Sequence, residues 1–369
     1  MNILWFTTRK MNDLCSTTMQ ELCSGLVNGG HQVTVINSDL DGSHSAFPWL
    51  HVSIQAQAMK GRKAAVLGAK MRLWLNGFSP TEKTVAVVDW QVAAKLAKPL
   101  QMKSIPWILM DRSPPADSGL LAYLQWPVWR RAWRYVADKS ARSGCVVSQA
   151  HLQFVQSRVE VVASQVRILP AGVDIALFQP QEKNEILTLV YHGRLDRHRG
   201  VLALPMLQQK LRHENFETQL LLIGKGDAFQ GLKKMSQNDD HLKVISTLPQ
   251  KELAQKIAKA HIGLLPMPNS KVWALASPLK RSEYAASGLM IFGIDHQGHR
   301  FENEIQPKWT KLVYQEDFHI DGVEWIQSLS KEQLLSYSSD ARKFAEENLD
   351  WVHSVRVLEQ ACISALNQQ

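Results

Sequence analysis

The sequence predicts an α/β protein of two domains, each built on a parallel sheet. Three observations support this prediction: a length of 369 residues, a β-α-β pattern at the start of the chain, and a new series of strands and helices after residue 185. At about 150 residues per domain, the length favours two domains. A composition of 45% hydrophobic and 21% charged residues is typical of a folded soluble protein.

The β-α-β pattern occupies the first forty residues. Residues 2–6 and 31–36 are apolar runs of strand length, and a helix that ends at Gly29 and Gly30 joins them. This connection implies parallel strands. The loop that follows the first strand therefore lies at the carboxyl edge of the sheet, where open α/β folds bind ligands. It contains no glycine, so it is not a dinucleotide-binding fingerprint.

Asp111 is a candidate active-site residue of the first domain. Residues 107–110 form an apolar run of strand length, and Asp111 follows directly, ahead of Pro114 and Pro115. A carboxylate at the carboxyl end of a strand, followed by a loop stiffened by proline, favours an active-site element. An Asp that serves only as a cap or turn residue is at least as common, so both interpretations stay open.

The domain boundary is predicted in a polar segment that contains prolines. Two prolines, a glycine and a charged run to Glu185 precede a new apolar strand at 186–191. We therefore expect a first domain over residues 1–172, a second domain over 173–349, and a C-terminal helix over 350–369.

Two glycine-containing loops of the second domain are candidate anion sites. The loop after its first strand carries Gly193, Arg194 and Arg199, and the loop after its second strand carries Gly224 and Gly226. Glycine permits close approach of the backbone to a ligand, and the two arginines suit a pair of phosphates. A Gly-x-Gly turn by itself is a weak signal, so the arginines carry most of this prediction.

Residues 277–288 (SPLKRSEYAASG) predict a short helix with sharply defined ends. Ser277 is a favoured N-cap, Pro278 suits the first helical position, and the final glycine suits the position after the helix. Lys280 and Glu283 then share a face with Ser277. A cation at a helix N-terminus suits a phosphate, and a carboxylate suits sugar hydroxyls. A surface helix with one i,i+3 ion pair is the alternative.

The net charge of +8 lies in the first half of the chain. Residues 1–180 contain 19 Lys and Arg against 11 Asp and Glu, whereas residues 181–369 contain 23 of each. This asymmetry favours a polyanionic partner or an anionic membrane surface for the first half alone. Two basic stretches with apolar residues, 59–74 and 126–142, are the candidate surface.

Three tryptophans in the second basic stretch allow two interpretations. Trp126, Trp129 and Trp133 recur at helical spacing beside arginines. Tryptophan with arginine suits the headgroup layer of a membrane. Buried tryptophans beside a solvated arginine face are the equally weighted alternative. No nucleic-acid-binding module is recognisable, so we expect no nucleic-acid partner.

Cysteine usage and the absence of targeting signals predict the compartment. The four cysteines lack metal-ligand spacing, no secretory signal is visible, and no uncharged stretch reaches the roughly 20 residues of a membrane span. His296 and His299 have no third ligand nearby, so we assign no metal. We expect a cytoplasmic protein without a metal cofactor, peripheral at the inner face of the cell membrane.

Several of these motifs together resemble the retaining glycosyltransferases of family 4. The matching segments are ILPAGVD at 168–174, GRL at 193–195, IGKG at 223–226, LP at 265–266 and SPLKRSEYAASG at 277–288. The resemblance covers nearly the whole chain and is strongest after about Val146. It implies an α/β GT-B fold, in which two Rossmann-like domains face each other across a cleft and the C-terminal helix crosses back to the first domain.

The resemblance also implies a ligand for each domain. The second domain of such enzymes binds a nucleotide-sugar donor and the first binds the acceptor, here a glycan, a lipid-linked sugar or a polysaccharide, generally without a metal. Arg194 and Arg199 would neutralise the donor diphosphate as it leaves, and Glu283 would bind the ribose hydroxyls. The other implied contacts are phosphate or sugar at Ser277 and Lys280, nucleotide at Gly193, Gly224 and Gly226, base at Thr247 and Leu248, and acceptor or transferred sugar at Asp111, Thr7 and Thr8.

The chain departs from the family pattern at three places. The loop after the first strand lacks glycine, Leu275 stands where many members have a glutamate, and Arg199 replaces a lysine and lies one residue closer. Two other functions therefore stay open beside a retaining glycosyltransferase. One is a nucleotide-sugar epimerase of the same fold, and the other is a non-catalytic GT-B subunit that binds sugar nucleotide without turnover.

Overall fold

The computed structural model describes residues 1–11, 13, 16–59, 61–80, 83–115, 123–301 and 306–368. Asn12 of the loop after the first strand, Cys15, and Lys60 of the basic stretch 59–74 lie outside these ranges. The chain forms two compact units. The first unit contains Met1–Pro170 and Trp351–Gln369, and the second contains Ala171–Asp350.

The first unit is built on a seven-stranded parallel sheet of order β3-β2-β1-β4-β5-β6-β7. Its strands are β1 (Asn2–Phe6), β2 (Gln32–Asn37), β3 (Leu50–Ser53), β4 (Thr84–Asp89), β5 (Trp107–Met110), β6 (Ser143–Val146) and β7 (Val166–Ile168). Its helices are α1 (Thr17–Asn28), α2 (Lys63–Gly77), α3 (Trp90–Met102), α4 (Gln125–Ala137), α5 (Gln149–Gln156) and α13 (Trp351–Asn367).

The helices of the first unit cover both faces of this sheet. The central strands β1 and β4 are buried along nearly their whole length, as strands between two helical layers must be. The chain moves from β1 to β2 in one direction and from β4 to β5 in the other, so right-handed crossovers place α1 on one face and α3 on the opposite face. α2 and α4 pack beside α3, and α13 packs beside α1.

The second unit is built on a six-stranded parallel sheet of order β10-β9-β8-β11-β12-β13. Its strands are β8 (Thr188–His192), β9 (Gln219–Ile223), β10 (Leu242–Ile245), β11 (Ile262–Leu265), β12 (Met290–Ile294) and β13 (Thr310–Val313). Its helices are α6 (Ala203–His213), α7 (Phe229–Met235), α8 (Gln250–Ala258), α9 (Lys271–Ala274), α10 (Leu279–Ala286), α11 (Phe318–Ser328) and α12 (Lys331–Asn348).

The predicted α/β class with parallel sheets is therefore confirmed in both units. Each sheet gathers the carboxyl ends of its strands at one edge, and that edge holds the loops considered below. Within the described part of the chain, no helix is both long enough and apolar enough to span a membrane.

Candidate active site

Arg194 and Arg199, in the loop after β8, share one carboxylate. Arg194 donates to Asp196 through Nε (2.9 Å, Oδ2) and Nη2 (3.0 Å, Oδ1), and Arg199 Nε lies 3.6 Å from Oδ2. The hydrogen bonds from Arg194 hold the pKa of Asp196 below its ordinary 3.8. A guanidinium has five N–H groups, so Arg194 keeps three for another partner. Asp196 is the residue that brings the two predicted arginines together.

Trp273 of α9 positions Arg199. The guanidinium carbon of Arg199 lies 4.5 Å from the centre of the indole ring, and the side chain is 23% exposed. Stacking orients a guanidinium without using its N–H groups. The Nε of Arg199 is buried and finds no hydrogen-bond acceptor among the described residues. Arg199 is therefore a cation that is held in place and still has an N–H group to donate.

The backbone geometry of the two loops requires glycine at these positions. Gly193 and Gly224 have φ values of +116° and +151°, which strain residues with a Cβ. A Cβ on Gly224 would collide with the carbonyl oxygen of Gly193, and one on Gly226 would collide with that of Leu195. The loops after β8 and β9 therefore cross in direct backbone contact. A Cβ at Gly193 would lie 3.6 Å from Cε and Nζ of Lys280.

The start of α10 differs from the sequence prediction. Ser277 is not the N-cap: the helix begins at Leu279, and Pro278 takes the cap position without a side-chain hydrogen bond. The hydroxyl oxygen of Ser277 instead accepts from the backbone N–H of Ala171 at 3.0 Å. The N-cap prediction was wrong because the Ala171 N–H, rather than an N–H group of the helix, donates to the Ser277 hydroxyl oxygen. No side chain caps the helix, and the Arg281 N–H bonds back to the carbonyl of Pro278 at 3.2 Å. The helix N-terminus carries the partial positive charge of the helix dipole, which favours an anion.

Lys280 and Glu283 of α10 lie against the end of β8. The Nζ of Lys280 is 5.4 Å from the centre of the Tyr191 ring. Glu283 is only 7% exposed, and its Oε2 lies 3.0 Å from Nε2 of His192. The i,i+3 ion pair between Lys280 and Glu283, which belonged to the alternative of a surface helix, is not among the salt bridges of the described residues. The structure thus brings Arg194, Arg199 and Lys280 to one end of the second sheet.

Thr247 and Leu248 follow β10 at the same edge of the sheet. β10 pairs with β9, and Gly224 donates its N–H to the carbonyl of Ile245 at 2.9 Å. Thr247 is exposed, whereas Leu248 is half-buried and packs against the core of the second unit. These two residues therefore lie one strand further along the edge than the Gly224 loop.

Asp111 has surroundings different from those expected for an active-site loop. It is fully buried, and its Oδ2 accepts from the indole N–H groups of Trp129 (2.6 Å) and Trp133 (2.9 Å). Nε2 of His151 lies 3.3 Å from the same oxygen. Asp111 is thus a carboxylate inside the core of the first unit, with no surface available to an acceptor.

This cluster also corrects the membrane interpretation of the tryptophans. Trp129 and Trp133 are both 0% exposed and belong to the core, and Trp126 is half-buried. A buried indole pairs its N–H group, and here Asp111 is the acceptor. The alternative of core tryptophans beside an exposed arginine face is correct for Trp129 and Trp133.

His296 and His299 pack on each other in the loop after β12. Their ring centres are 3.7 Å apart, and Nδ1 of His299 donates to the carbonyl of Ile294 at 2.6 Å. Burial lowers the pKa of His296 to about 4. Among the described residues, no group of three or more His, Cys, Asp or Glu side chains could hold a metal ion.

Sequence reasoning missed the residues that hold the predicted ones. Asp196 lies between the two arginines in the sequence, so the pattern Arg-x-Asp-x-x-Arg offered a signal. No sequence signal pointed to His192 or Trp273, because a histidine at a strand end or a tryptophan in a four-residue helix is usually a packing residue.

No protein-family model matches the chain, and no curated protein matches it in sequence. Solved structures do match over the full length. Sucrose-phosphate synthase from Thermosynechococcus elongatus covers 100% of both chains at 14% identity with a TM-score of 0.79. HepE of Anabaena in complex with UDP covers 99% of this chain and 100% of its own at 13% identity, with a TM-score of 0.73. WaaG, a glycosyltransferase involved in lipopolysaccharide biosynthesis, covers 98% and 99% at 13% identity, with a TM-score of 0.68. At these identities the likeness defines the fold, which is GT-B.

Proposed function

We propose that the protein is a retaining, metal-independent glycosyltransferase that uses a nucleotide-sugar donor. The observation that carries the proposal is the grouping of Arg194, Arg199 and Lys280 at the carboxyl edge of the second sheet, beside the uncapped start of α10. Three cations and a helix N-terminus suit a diphosphate, which is the group a nucleotide-sugar releases. The resemblance to family 4 motifs supports the retaining mechanism.

In this proposal the two arginines stabilise the leaving group. Charge on the diphosphate grows as the glycosyl bond breaks, and cations already in position stabilise that charge without reorganisation. Asp196 and Trp273 supply this order, since they fix Arg194 and Arg199 before a ligand arrives. Fixed cations would fill the role that a metal ion has in other transferases.

The remaining residues of the edge would bind the rest of the donor. Glu283 would accept from the ribose hydroxyls through Oε1, since its Oε2 lies 3.0 Å from Nε2 of His192. Gly193, Gly224 and Gly226 would admit the nucleotide, and Thr247 and Leu248 would lie near the base. Ser277 would donate its hydroxyl hydrogen to phosphate or sugar, since its oxygen accepts from the Ala171 N–H.

The acceptor would be a glycan, a lipid-linked sugar or a polysaccharide bound by the first unit at the cytoplasmic membrane face. The Thr7-Thr8 loop is the part of that unit we assign to the acceptor. It is anchored to the end of β4, because the Thr7 hydroxyl and the Thr8 N–H donate to Oδ2 of Asp89 at 2.5 and 3.2 Å. Asp111 is not part of this proposal because it has no exposed surface.

The test is a thermal-shift screen of the whole protein against UDP, GDP, ADP, CMP and dTDP, with and without their sugars. The UDP complex of HepE makes UDP the first choice. A ligand that binds only the folded state at about 100 times its Kd raises the unfolding free energy by about 2.7 kcal/mol. We expect a shift with one nucleotide, and its loss in Arg194→Met and Arg199→Met.

Further outcomes separate the alternative functions. A sugar nucleotide that is epimerised without an acceptor would indicate the epimerase. A nucleotide that binds but is not turned over with a panel of acceptors would indicate a non-catalytic subunit. No shift with any nucleotide would contradict the donor site itself.

A further inference from the structure

We propose that the outer sides of α2, α3 and α4 form a surface that binds an anionic lipid bilayer. We call this surface the basic face; it contains the residues of Lys63–Gly77, Trp90–Met102 and Gln125–Ala137 that are not buried, and the adjacent Tyr123 and Leu124. The proposal rests on exposed side chains of the first unit and does not depend on the proposed transfer reaction.

The basic face has an unbalanced charge. The three helices contain eight Lys and Arg and no Asp or Glu. All eight cations are exposed, namely Lys63, Lys70, Arg72, Lys95, Lys98, Arg130, Arg131 and Arg134. The net charge of the whole chain is also +8. Three adjacent helices therefore account for a charge equal to the entire excess, which creates a strong local positive potential.

The cations of the basic face have no acidic partners among the described residues. None of them lies within ion-pair distance of an acid in the part of the chain that the structure describes. Lys70 donates to the carbonyl of Gln55 at 2.6 Å, and Arg131 donates to the Tyr135 hydroxyl at 3.0 Å. These partners are neutral, so the charges of Lys70 and Arg131 stay uncompensated.

Exposed apolar side chains lie among these cations. Leu73 is 64% exposed, Met102 76%, Val128 36%, Leu124 64% and Tyr123 72%. On α2 the buried residues are Leu67, Gly68, Met71 and Leu75, so Leu73 lies on the outer side together with Lys70 and Arg72. Cations with apolar neighbours on one helix face are the pattern of interfacial binding, in which cations meet lipid headgroups and apolar groups enter the boundary with the acyl chains.

The opposite helical layer provides an internal comparison. α1 contains one acid and no base, and α13 contains one of each. The charge excess is therefore confined to one face of the sheet rather than spread over the unit. A bilayer is flat and contacts one face only, which fits this distribution.

A bilayer fits the basic face better than a nucleic acid does. Single-stranded nucleic acids bind basic surfaces that also present aromatic rings for stacking. Trp129 and Trp133 are buried and cannot stack on bases. Tyr123 is the one ring among the exposed apolar side chains named above, whereas Leu73, Met102, Leu124 and Val128 are aliphatic and cannot stack on bases.

The experiment is vesicle flotation with the full chain, without any sugar nucleotide. Vesicles of phosphatidylcholine alone are compared with vesicles that also contain about 30% phosphatidylglycerol. We expect binding to the anionic vesicles only, and a decrease of at least about tenfold in affinity when salt is raised from about 0.05 to 0.5 M. Lys70→Glu with Arg72→Glu, and separately Arg130→Glu with Arg131→Glu, should each weaken binding at least about tenfold.

Two further variants keep the test specific. Lys251→Glu with Lys256→Glu reverses two exposed cations on α8 of the second unit and should leave vesicle binding unchanged. Leu73→Ser with Val128→Ser should weaken binding at constant charge. Melting curves of all variants should match that of the wild type, because every altered residue is exposed.

Several outcomes would overturn the proposal. They are equal binding to neutral and anionic vesicles, no binding to either, or full binding by the charge-reversal variants. Binding to RNA or dextran sulfate as tight as to vesicles, with no effect of Leu73→Ser and Val128→Ser, would replace the bilayer with a soluble polyanion. The nucleotide thermal shift is measured separately, so failure here leaves the donor-site proposal standing.

Discussion

The two units use the same sheet architecture but place their charges differently. In the first unit the strand-end residues Asp89 and Asp111 are buried, and internal donors bind their carboxylates. In the second unit the strand-end loops carry Arg194 and Arg199, which stay partly exposed. The first unit also carries eight exposed cations on the outer sides of three helices.

This difference separates charges that stabilise the fold from charges that are available to a ligand. A buried carboxylate whose hydrogen bonds all go to the protein is part of the core. A guanidinium that is oriented by a neighbour but retains free N–H capacity is ready for an anion. In both units the sequence shows only a charged residue at a strand end. Burial and hydrogen-bond partners decide whether that residue stabilises the core or is available to a ligand.

The largest effect is expected from Asp111→Ala. The change removes the acceptor of two buried indole N–H groups, so the free energy of unfolding should fall by about 3 to 5 kcal/mol. Urea denaturation measures it. Asp41→Ala, which removes an exposed acid of the same unit, should stay within about 0.5 kcal/mol of wild type. Equal stability of the two variants would show that the cluster does not stabilise the core.

The next effect concerns the second unit and should appear in activity rather than stability. Arg199→Met should lower the rate of glycosyl transfer by about 100- to 1000-fold, because a fixed cation is lost from the leaving group. Lys256→Met, an exposed cation on α8, is the matched control and should keep the wild-type rate. A loss of stability in Arg199→Met as large as the loss in activity would make Arg199 a structural residue like Asp111.

Mild acid should lower the stability of the second unit more than that of the first. Burial lowers the pKa values of His261 and His296 to about 4 from an ordinary 6.5, so the unfolded chain takes up their protons first as pH falls. The second unit therefore loses stability between pH 6.5 and about 4, by at most about 3 kcal/mol per histidine. In the first unit two groups oppose each other: burial lowers the pKa of His51, whereas burial raises the pKa of Asp89, so the folded unit binds the Asp89 proton more readily than the unfolded chain does.

Hydrogen exchange at pH 7 and at about pH 4.5 should show the second unit opening before the first. His296→Phe should reduce the pH dependence, whereas His353→Phe in α13 of the first unit should not. Simultaneous opening of both units at acid pH would contradict the assignment.

The smallest effect is expected from Asp196→Asn. The pKa of Asp196 is lowered in the folded state, so its contribution to stability is present above about pH 4 and disappears as pH falls through the folded-state value. Because Arg194 is 45% exposed, solvent screening limits this contribution to about 1 kcal/mol. The more sensitive readout is the nucleotide-induced thermal shift, which should decrease as Arg194 and Arg199 lose their common partner. An unchanged shift would mean that Asp196 does not order the arginines.

The parallel α/β fold of both units could be predicted from the sequence because it depends on local patterns. Apolar runs of strand length, glycines at helix ends and alternating strands and helices all act over a few residues. The strand β3 (Leu50–Ser53) escaped prediction, because this short edge strand is half exposed and lacks an apolar run.

The positions of the candidate site residues at strand ends were also available from the sequence, since a parallel sheet gathers those ends at one edge. Their partners were not. The Ala171 N–H that occupies the Ser277 hydroxyl oxygen lies 106 positions earlier in the chain. Trp129 and Trp133 reach Asp111 across 18 and 22 residues.

The sequence by itself determined the fold class, the helix and strand types, and the confinement of net charge to the first half. Only the tertiary structure decided which strand-end charges are buried and which are exposed, and that the basic residues of three helices share one face. The physical reason is that burial and hydrogen-bond partners depend on contacts between distant segments. Local propensity is the same whether an Asp ends in the core or at a binding site.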